Sequence, residues 1–299
     1  MNIVLTGSLG NISKPLVTEL IAKGHSVTVI SSSADRQKEI ETLGAKAAIG
    51  GLEDLNFLAK TFEGADIVYL MEPNVNIFDP DADMDKSWTG IANCYKQAIL
   101  ESGVTKVIHL SSIGARTDKG NGQLKAHYYV ERILGELPEN VSIKFMRPVS
   151  FYTNTLGWFQ SIKEQGAIFS SHGGDRKEPW VSPLDIAAAI AEEVELPFGG
   201  RKIRYVASDE LSPNEVAAIL GNAIGKPDLK WVTLTGEQML GSLKQIGMNP
   251  TIAEGFVEMQ AAQTDDTLYE DYRRHKPVLG KVKFETFAKE FAAIYNQNN

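Results

Sequence analysis

The sequence predicts an α/β protein, a doubly wound parallel sheet followed by a smaller α/β C-terminal lobe. Three observations carry this. Short Val/Ile-rich runs alternate with helix-length segments through the first 150 residues. Such runs, too short to alternate polar with apolar, suit strands covered on both faces. Glycines close the helical segments in Lys23-Gly24-His25, Leu43-Gly44-Ala45 and Glu63-Gly64-Ala65, as left-handed helix caps require. The first strand also runs straight into a glycine-bearing turn, Thr6-Gly7-Ser8-Leu9-Gly10-Asn11-Ile12-Ser13, before the first helix.

Taken in order, residues 3–5 form a strand, and 13–23 a helix with Leu16, Val17, Leu20 and Ile21 on one face. Residues 27–30 are a strand, 34–43 a charged helix and 45–49 a strand. A helix follows over 52–62, a strand over 66–71, a long helix over 84–102 and a strand over 106–110. Residues 124–134 then read as a helix and 141–146 as a strand. Past residue 150 aromatics crowd together, and a glycine pair, Gly173-Gly174, marks a loop. An apolar helix begins at Asp185, and a strand covers 204–207. Ser212-Pro213-Asn214-Glu215 is a helix start with a capping box. A last strand covers 231–234, and the remainder is helical. The predicted division is a nucleotide-binding unit over 1–150, with segments near 181–208 returning to it, and a smaller lobe over 151–299 that closes a pocket for a small-molecule substrate.

Composition excludes several classes. With 299 residues the chain buries enough surface to need no disulfide or metal staple. Its 30 Lys+Arg against 38 Asp+Glu give a net charge of −8, opposite to that of a nucleic-acid binder. The single cysteine, Cys94, permits no internal disulfide, and the five histidines show no zinc-site spacing, so no metal is expected. No apolar run is long enough to cross a membrane, and the N-terminus lacks the pattern of a signal peptide. The expectation is a soluble, cytoplasmic protein.

The glycine turn points to a dinucleotide-binding, Rossmann-type unit. A tight strand-to-helix turn needs glycine, and a second glycine lets a pyrophosphate approach the backbone. The helix N-terminus then offers free N–H groups and a favourable dipole. Gly7, Ser8, Leu9, Gly10, Asn11 and Ile12 are therefore candidate cofactor residues. About 20 residues on, NAD sites place an acid to hold the ribose 2′-hydroxyl. Here the second strand ends in Ser31 and Ser32, with Arg36 beyond, a set suited to a 2′-phosphate. NADP(H) is thus favoured over NAD(H), although Asp35 is also available.

Together these segments resemble the NmrA-like branch of the atypical short-chain dehydrogenase/reductases. The resemblance runs from the glycine turn through Tyr69-Leu70-Met71-Glu72-Pro73, His109 to Ala115, His127 to Glu131 and Arg147-Pro148 to Asn154, and ends in a C-terminal segment from Leu279 to Ala288. The family's Gly-Asp-Leu after the third strand stands here as Gly50-Gly51-Leu52, without the acid that faces the adenine.

Ordinary short-chain dehydrogenases move a proton with Tyr-x-x-x-Lys. Here the resemblance implies His-x-x-x-Glu, as His127 and Glu131. At i and i+4 the two share a helix face, and a glutamate there raises the histidine pKa. His127 is either a proton donor or half of a structural clasp. Tyr128, four residues before Arg132, and Ser111, at a strand's carboxyl end, complete the catalytic candidates. The nicotinamide is expected near Met71, Glu72, Pro73, Ser111, Pro148 and Phe151. Phe151, Tyr152, Trp158 and Phe169 form a candidate aromatic wall, and Asn154 is a candidate for positioning substrate. The resemblance implies NADPH-dependent reduction of a planar, electron-poor acceptor such as a quinone. Its alternative is a non-catalytic NADP(H) sensor that passes its state to a protein partner. The missing Tyr-x-x-x-Lys counts against a sugar-nucleotide epimerase.

Overall fold

The computed structural model describes residues 1–297; residues 298 and 299, the end of the predicted lobe, lie outside them. In chain order the first half comprises β1 (Asn2–Leu5), α1 (Ser13–Ala22), β2 (Ser26–Ser31), α2 (Gln37–Thr42), β3 (Lys46–Ile49), α3 (Leu55–Phe62), β4 (Ile67–Leu70), α4 (Met84–Ser102), β5 (Lys106–Leu110), α5 (Lys125–Gly135) and β6 (Ser142–Pro148). The second half comprises β7 (Ser150–Phe151), α6 (Phe159–Gln165), β8 (Ala167–Ser170), β9 (Glu178–Val181), α7 (Pro183–Glu195), β10 (Arg201–Val206), β11 (Asp209–Leu211), α8 (Pro213–Ala223), β12 (Lys230–Thr233), α9 (Gly236–Gln245), α10 (Pro250–Thr264), α11 (Glu270–Arg274) and α12 (Phe284–Gln297).

Seven strands form one parallel sheet in the order β10-β6-β5-β4-β1-β2-β3. The chain starts in the middle and winds outward in both directions, so the order reverses between β1 and β4. Crevices at such reversals are where ligands enter open α/β sheets. One face carries α1 packed beside α7, over Leu16, Val17, Leu20, Ile186 and Ile190. The other carries α3, α4 and α5, over Leu58, Phe62, Tyr95, Val130 and Leu134. With both faces covered, strands such as Ile67–Leu70 are buried at every position. Helix α7 and strand β10 rejoin this sheet, β10 pairing with β6 from Arg201 to Val206.

The rest of the second half builds two small sheets, β11-β9-β7 and β12-β8, around an aromatic core of Tyr152, Trp180, Trp231, Phe284 and Phe291. This lobe also reaches back over the strand ends. Helix α10 packs on the short 3-10 turn Gly122–Leu124. Asn249, the N-cap of α10, donates to the carbonyls of Asp79, Pro80 and Ala82 at 2.9–3.3 Å, so the loop after β4 is held under the lobe.

Several boundaries shift from the sequence expectation for local reasons. The helix expected over 34–43 is a 3-10 turn, Ala34–Arg36, followed by α2. The helix expected from 52 starts at Leu55, because the Asp54 carboxylate accepts the Phe57 N–H and sets the cap there. The helix expected from Asp185 starts two residues earlier, with Ser182 as cap and Pro183 in its first turn. The Ser212/Glu215 capping box is formed. Gly24, Gly44 and Gly64 all take positive φ after their helices.

Candidate cofactor and active site

The β1–α1 turn is built around one strained glycine and one open glycine. Gly7 has φ +88°, and a Cβ there would run into the Met71 sulfur, so no other residue fits. Ser8 also has positive φ (52°), held by its N–H donating to Ile30 O at 3.1 Å and by a 3.0 Å hydroxyl contact with Ser31. Gly10 is exposed and in no such conformation; a Cβ there would meet only Gly7 O, at 3.5 Å. Its lack of a side chain leaves the turn open to a ligand. Leu9 and Ile12 are buried in the sheet core and anchor the turn, so only their backbone groups are available, whereas Asn11 is exposed. Helix α1 has no side-chain cap and no acid in its first turn. Lys14 N–H donates to Gly10 O and Pro15 has no N–H, so this end presents the backbone N–H groups of Asn11, Ile12 and Ser13 and the positive pole of the dipole.

Beside the turn lies a charged corner. Arg36 Nη1 is 2.8 Å from Glu39 Oε2, and Lys14 Nζ is 2.9 Å from Glu39 Oε1. Both cations lower the Glu39 pKa. Two exposed cations share one acid close to Ser32, which is exposed like the neighbouring Asp35, while Ser31 is turned inward toward Ser8. Lys14 was not among the sequence candidates; it becomes visible only once α1 and α2 are side by side. Backbone N–H groups, a helix terminus and these cations form a donor set that fits the phosphates of a dinucleotide.

At the end of β4, Met71 is held by its backbone. Its N–H donates to the Thr6 hydroxyl at 2.8 Å, and its carbonyl accepts from the Tyr95 hydroxyl at 2.6 Å. Pro73 is exposed and its carbonyl accepts the Trp88 indole N–H at 3.0 Å. Glu72, expected near the nicotinamide, is buried. Its side chain turns inward, with both oxygens 3.1 Å from His109 Nε2.

The His127–Glu131 pairing expected from their spacing does not form. Glu131 is taken by Arg147, whose Nε lies 2.9 Å from Oε1 and Nη2 2.7 Å from Oε2. A permanently charged fork outcompetes an imidazole for a carboxylate. Burial opposes the Arg147 charge, but Glu131 and the Tyr205 hydroxyl more than offset it and raise its pKa. The same Glu131 carboxylate accepts the Ser111 hydroxyl at 2.6 Å, which fixes the serine's direction. His127 is left with its Nδ1 sealed and unpartnered, its ring edge-on to Trp88 at 4.8 Å. Burial pulls its pKa down to about 4, so the ring is neutral at pH 7 and not the expected imidazolium. Tyr128 makes a local surface pair with Arg132, the phenol oxygen accepting from Nε at 3.2 Å, and lines a pocket of about 650 Å³ with Glu131, Arg132 and Arg147.

The aromatic wall is dismantled in part. Tyr152 is fully buried in the second lobe; its hydroxyl donates to Asp209 and Val282 O at 3.0 Å and its ring packs on Phe284. Trp158 packs edge-on against Trp231 at 4.9 Å. Tyr152 fills the lobe's core and is withdrawn from contact with substrate, whereas Trp158 is half-buried against that core. Phe151 and Phe169 remain half-buried, Pro148 is buried at the end of β6, and Asn154 is exposed on a short 3-10 turn. Among the described residues no cluster of metal-ligating side chains occurs, and no helix is long and apolar enough to cross a membrane.

Residues 1–292 match the profile of the NmrA-like family. The chain is 26% identical to an NAD(P)H azoreductase of Xenophilus azovorans over 301 residues, 98% of this chain and 99% of that one. Its fold superposes on an NADPH-dependent quinone oxidoreductase of Escherichia coli solved with NADPH, with a TM-score of 0.81 at 17% identity, covering 97% of this chain and 99% of the other. A Citrobacter triphenylmethane reductase solved with NADP(H) superposes with a TM-score of 0.74 at 18% identity, covering 97% and 99%.

Proposed function

The chain belongs to the NmrA-like family, and from that premise we propose that it is an NADPH-dependent reductase of a small, planar, electron-poor acceptor. The observation that carries the reading is the β1–α1 turn: Gly10 is unobstructed, α1 is uncapped, and Lys14 and Arg36 stand beside it. Support also comes from the full-length azoreductase relative and from two structural neighbours whose acceptors are quinones and triphenylmethane dyes.

The bound cofactor supplies a hydride. Gly7, Ser8 and Gly10 shape the turn that receives the pyrophosphate. Lys14, Ser32 and Arg36 would hold a 2′-phosphate, Lys14 and Arg36 being the cations now paired with Glu39. Met71 and Ser111 are held at the strand ends, the first by Thr6 and Tyr95, the second by Glu131. The lobe clasped down by Asn249 limits water at the reacting face. His127, neutral at pH 7, donates no proton, so an acceptor that can collect its proton from solvent after taking hydride is the fitting class.

The neutral state of His127 also favours a second reading, a protein that binds NADP(H) and passes its redox state to a protein partner. Loss of NADPH absorbance against a panel of quinones and azo dyes separates the two. Turnover well above the uncatalysed rate is expected. No turnover from folded, cofactor-binding protein would overturn the reductase reading and leave the sensor.

A further inference from the structure

Strand β10 stands at one end of the seven-stranded sheet and pairs with β6 alone. The carbonyls of Gly200 and Val206 accept the Ile143 and Val149 N–H groups, so residues 200, 202, 204 and 206 turn their backbone groups toward β6. Arg201, Ile203 and Tyr205 therefore turn theirs outward, and among the described residues no backbone group pairs with them. Two residues on, the Ala207 carbonyl accepts the Gly280 N–H at 2.8 Å, which brings segment 277–280 onto the end of the same edge. A groove of about 890 Å³ remains along the edge, walled by this segment and by Ala188, Ala189 and Glu192 of α7. Its rim is apolar where water reaches it, with Ile203 52% and Val278 97% exposed.

An open edge is a template for another strand, and charged side chains along it restrict which strand can pair. Here the charges select a register. Lys202 and Arg204 project from the α7 face of β10, where Glu192 and Glu193 hold Arg204 at 2.6 and 2.8 Å. Glu193 is shared with Lys144, whereas Glu192 has Arg204 alone and its side chain is 59% exposed. Lys202 is exposed and has no partner among the described residues. Each chain thus carries one unpaired cation and one half-used carboxylate on the same face of the same edge. An antiparallel pair of two β10 strands centred on Ile203 sets Ile203 against itself and Arg201 opposite Tyr205. It also sets Lys202 opposite an Arg204 whose charge is already balanced, with Glu192 beside it. A shift of two residues either way would set Lys202 against Lys202 or Arg204 against Arg204, and like charges directly opposite repel.

We infer that the free edge of β10 joins two copies of this chain, antiparallel about a two-fold axis through Ile203, so that two central sheets become one. Such a contact uses the same residues on both copies, as a self-complementary edge requires. Ile203 of each copy donates its N–H to the Ile203 carbonyl of the other. Each groove receives the second copy's Gly199 to Ile203. Its two glycines, which carry no side chain, arrive where Gly280 already holds Ala207, and the ladder ends there. Lys202 of the second copy then reaches Glu192 in the groove wall. The contact involves no residue of the dinucleotide turn, so it stands independently of the cofactor reading.

The test is sedimentation of the full chain over a concentration series, with amide hydrogen exchange measured at both ends of the series. A species of twice the chain mass that grows with concentration is expected, with slower exchange at Ile203 and Tyr205 as it forms. Ile203→Pro removes the outward N–H and leaves the donors that face β6 untouched, so it should abolish the dimer. Lys202→Glu or Glu192→Lys alone should weaken the dimer at least about tenfold, and the two together should restore it. That rescue reports the register, which a merely stabilising role for either side chain would not. A chain that keeps the mass of one copy at every concentration overturns the inference. So does a dimer that survives folded Ile203→Pro. If Ile203→Pro does not fold, the charge pair decides: no weakening by either reversal, or no rescue by the two together, overturns it.

Discussion

Two regions at the same edge of the central sheet handle charge in opposite ways. The β1–α1 turn offers exposed backbone N–H groups and the open pole of a helix, flanked by solvated cations. The β4–β5 end, beside it in the sheet, buries a carboxylate against imidazole and leaves two histidine nitrogens unpartnered. The first suits a phosphate. The second is closed around its own charge. The difference teaches that the turn is open to a ligand, whereas the carboxylates of the strand ends already have partners inside the protein.

The firmest break in this comparison comes from Glu131, which ties the strand ends to the rest of the sheet. Glu131→Ala leaves the buried Arg147 guanidinium without its fork partner and Ser111 without its acceptor. A loss of about 3–5 kcal/mol in unfolding free energy is expected from urea titration, and a loss below about 1 kcal/mol would show that Arg147 finds other partners.

The two glycines of the turn come next, because they separate folding from binding. Gly7→Val forces a side chain into the Met71 sulfur at positive φ and should cost about 2–4 kcal/mol of stability. Gly10→Val meets no such obstacle and should melt like the unaltered protein while losing dinucleotide affinity. Equal melting of both variants would contradict the geometry of the turn.

A smaller effect sharpens the strand-end side. His127 is held near pKa 4 against an ordinary 6.5, so the unfolded chain binds its proton first as pH falls. The stability His127 confers is full above about pH 6.5 and is lost progressively down to about pH 4. Unfolding midpoints measured from pH 7 to 4 should fall more steeply for the unaltered protein than for His127→Gln, by about 2 kcal/mol over the range. Parallel curves would place His127 in a wetter site.

What the sequence made legible follows the same division. The turn is local: strand, glycines and helix start lie within a dozen residues, and Gly7 is readable because its positive φ and the nearby Met71 sulfur exclude a side chain. The parallel sheet is likewise encoded in runs such as Ile67–Leu70, whose apolar character matches burial on both faces. The strand-end cluster is not local. His109 meets Glu72 only because β4 and β5 are neighbours, and Arg147 reaches Glu131 only because β6 brings it under α5. The helical i, i+4 spacing of His127 and Glu131 was a true geometric fact that a stronger competitor from another strand overrode. Tyr152 was misassigned for a related reason. Aromatics near a strand end can face a ligand or fill a neighbouring core, and the core of the second lobe is assembled from Trp231 and Phe284, far along the chain.

The central claim is that the β1–α1 turn and its charged corner form a site for a 2′-phosphorylated dinucleotide. Calorimetric titration with NADPH and NADH, on the unaltered protein and on Arg36→Ala, tests it most directly. The account predicts that NADPH binds at least about tenfold more tightly than NADH, about 1.4 kcal/mol, and that Arg36→Ala removes most of that margin without abolishing binding. Equal affinity for the two dinucleotides in the unaltered protein, or binding of neither, would contradict it.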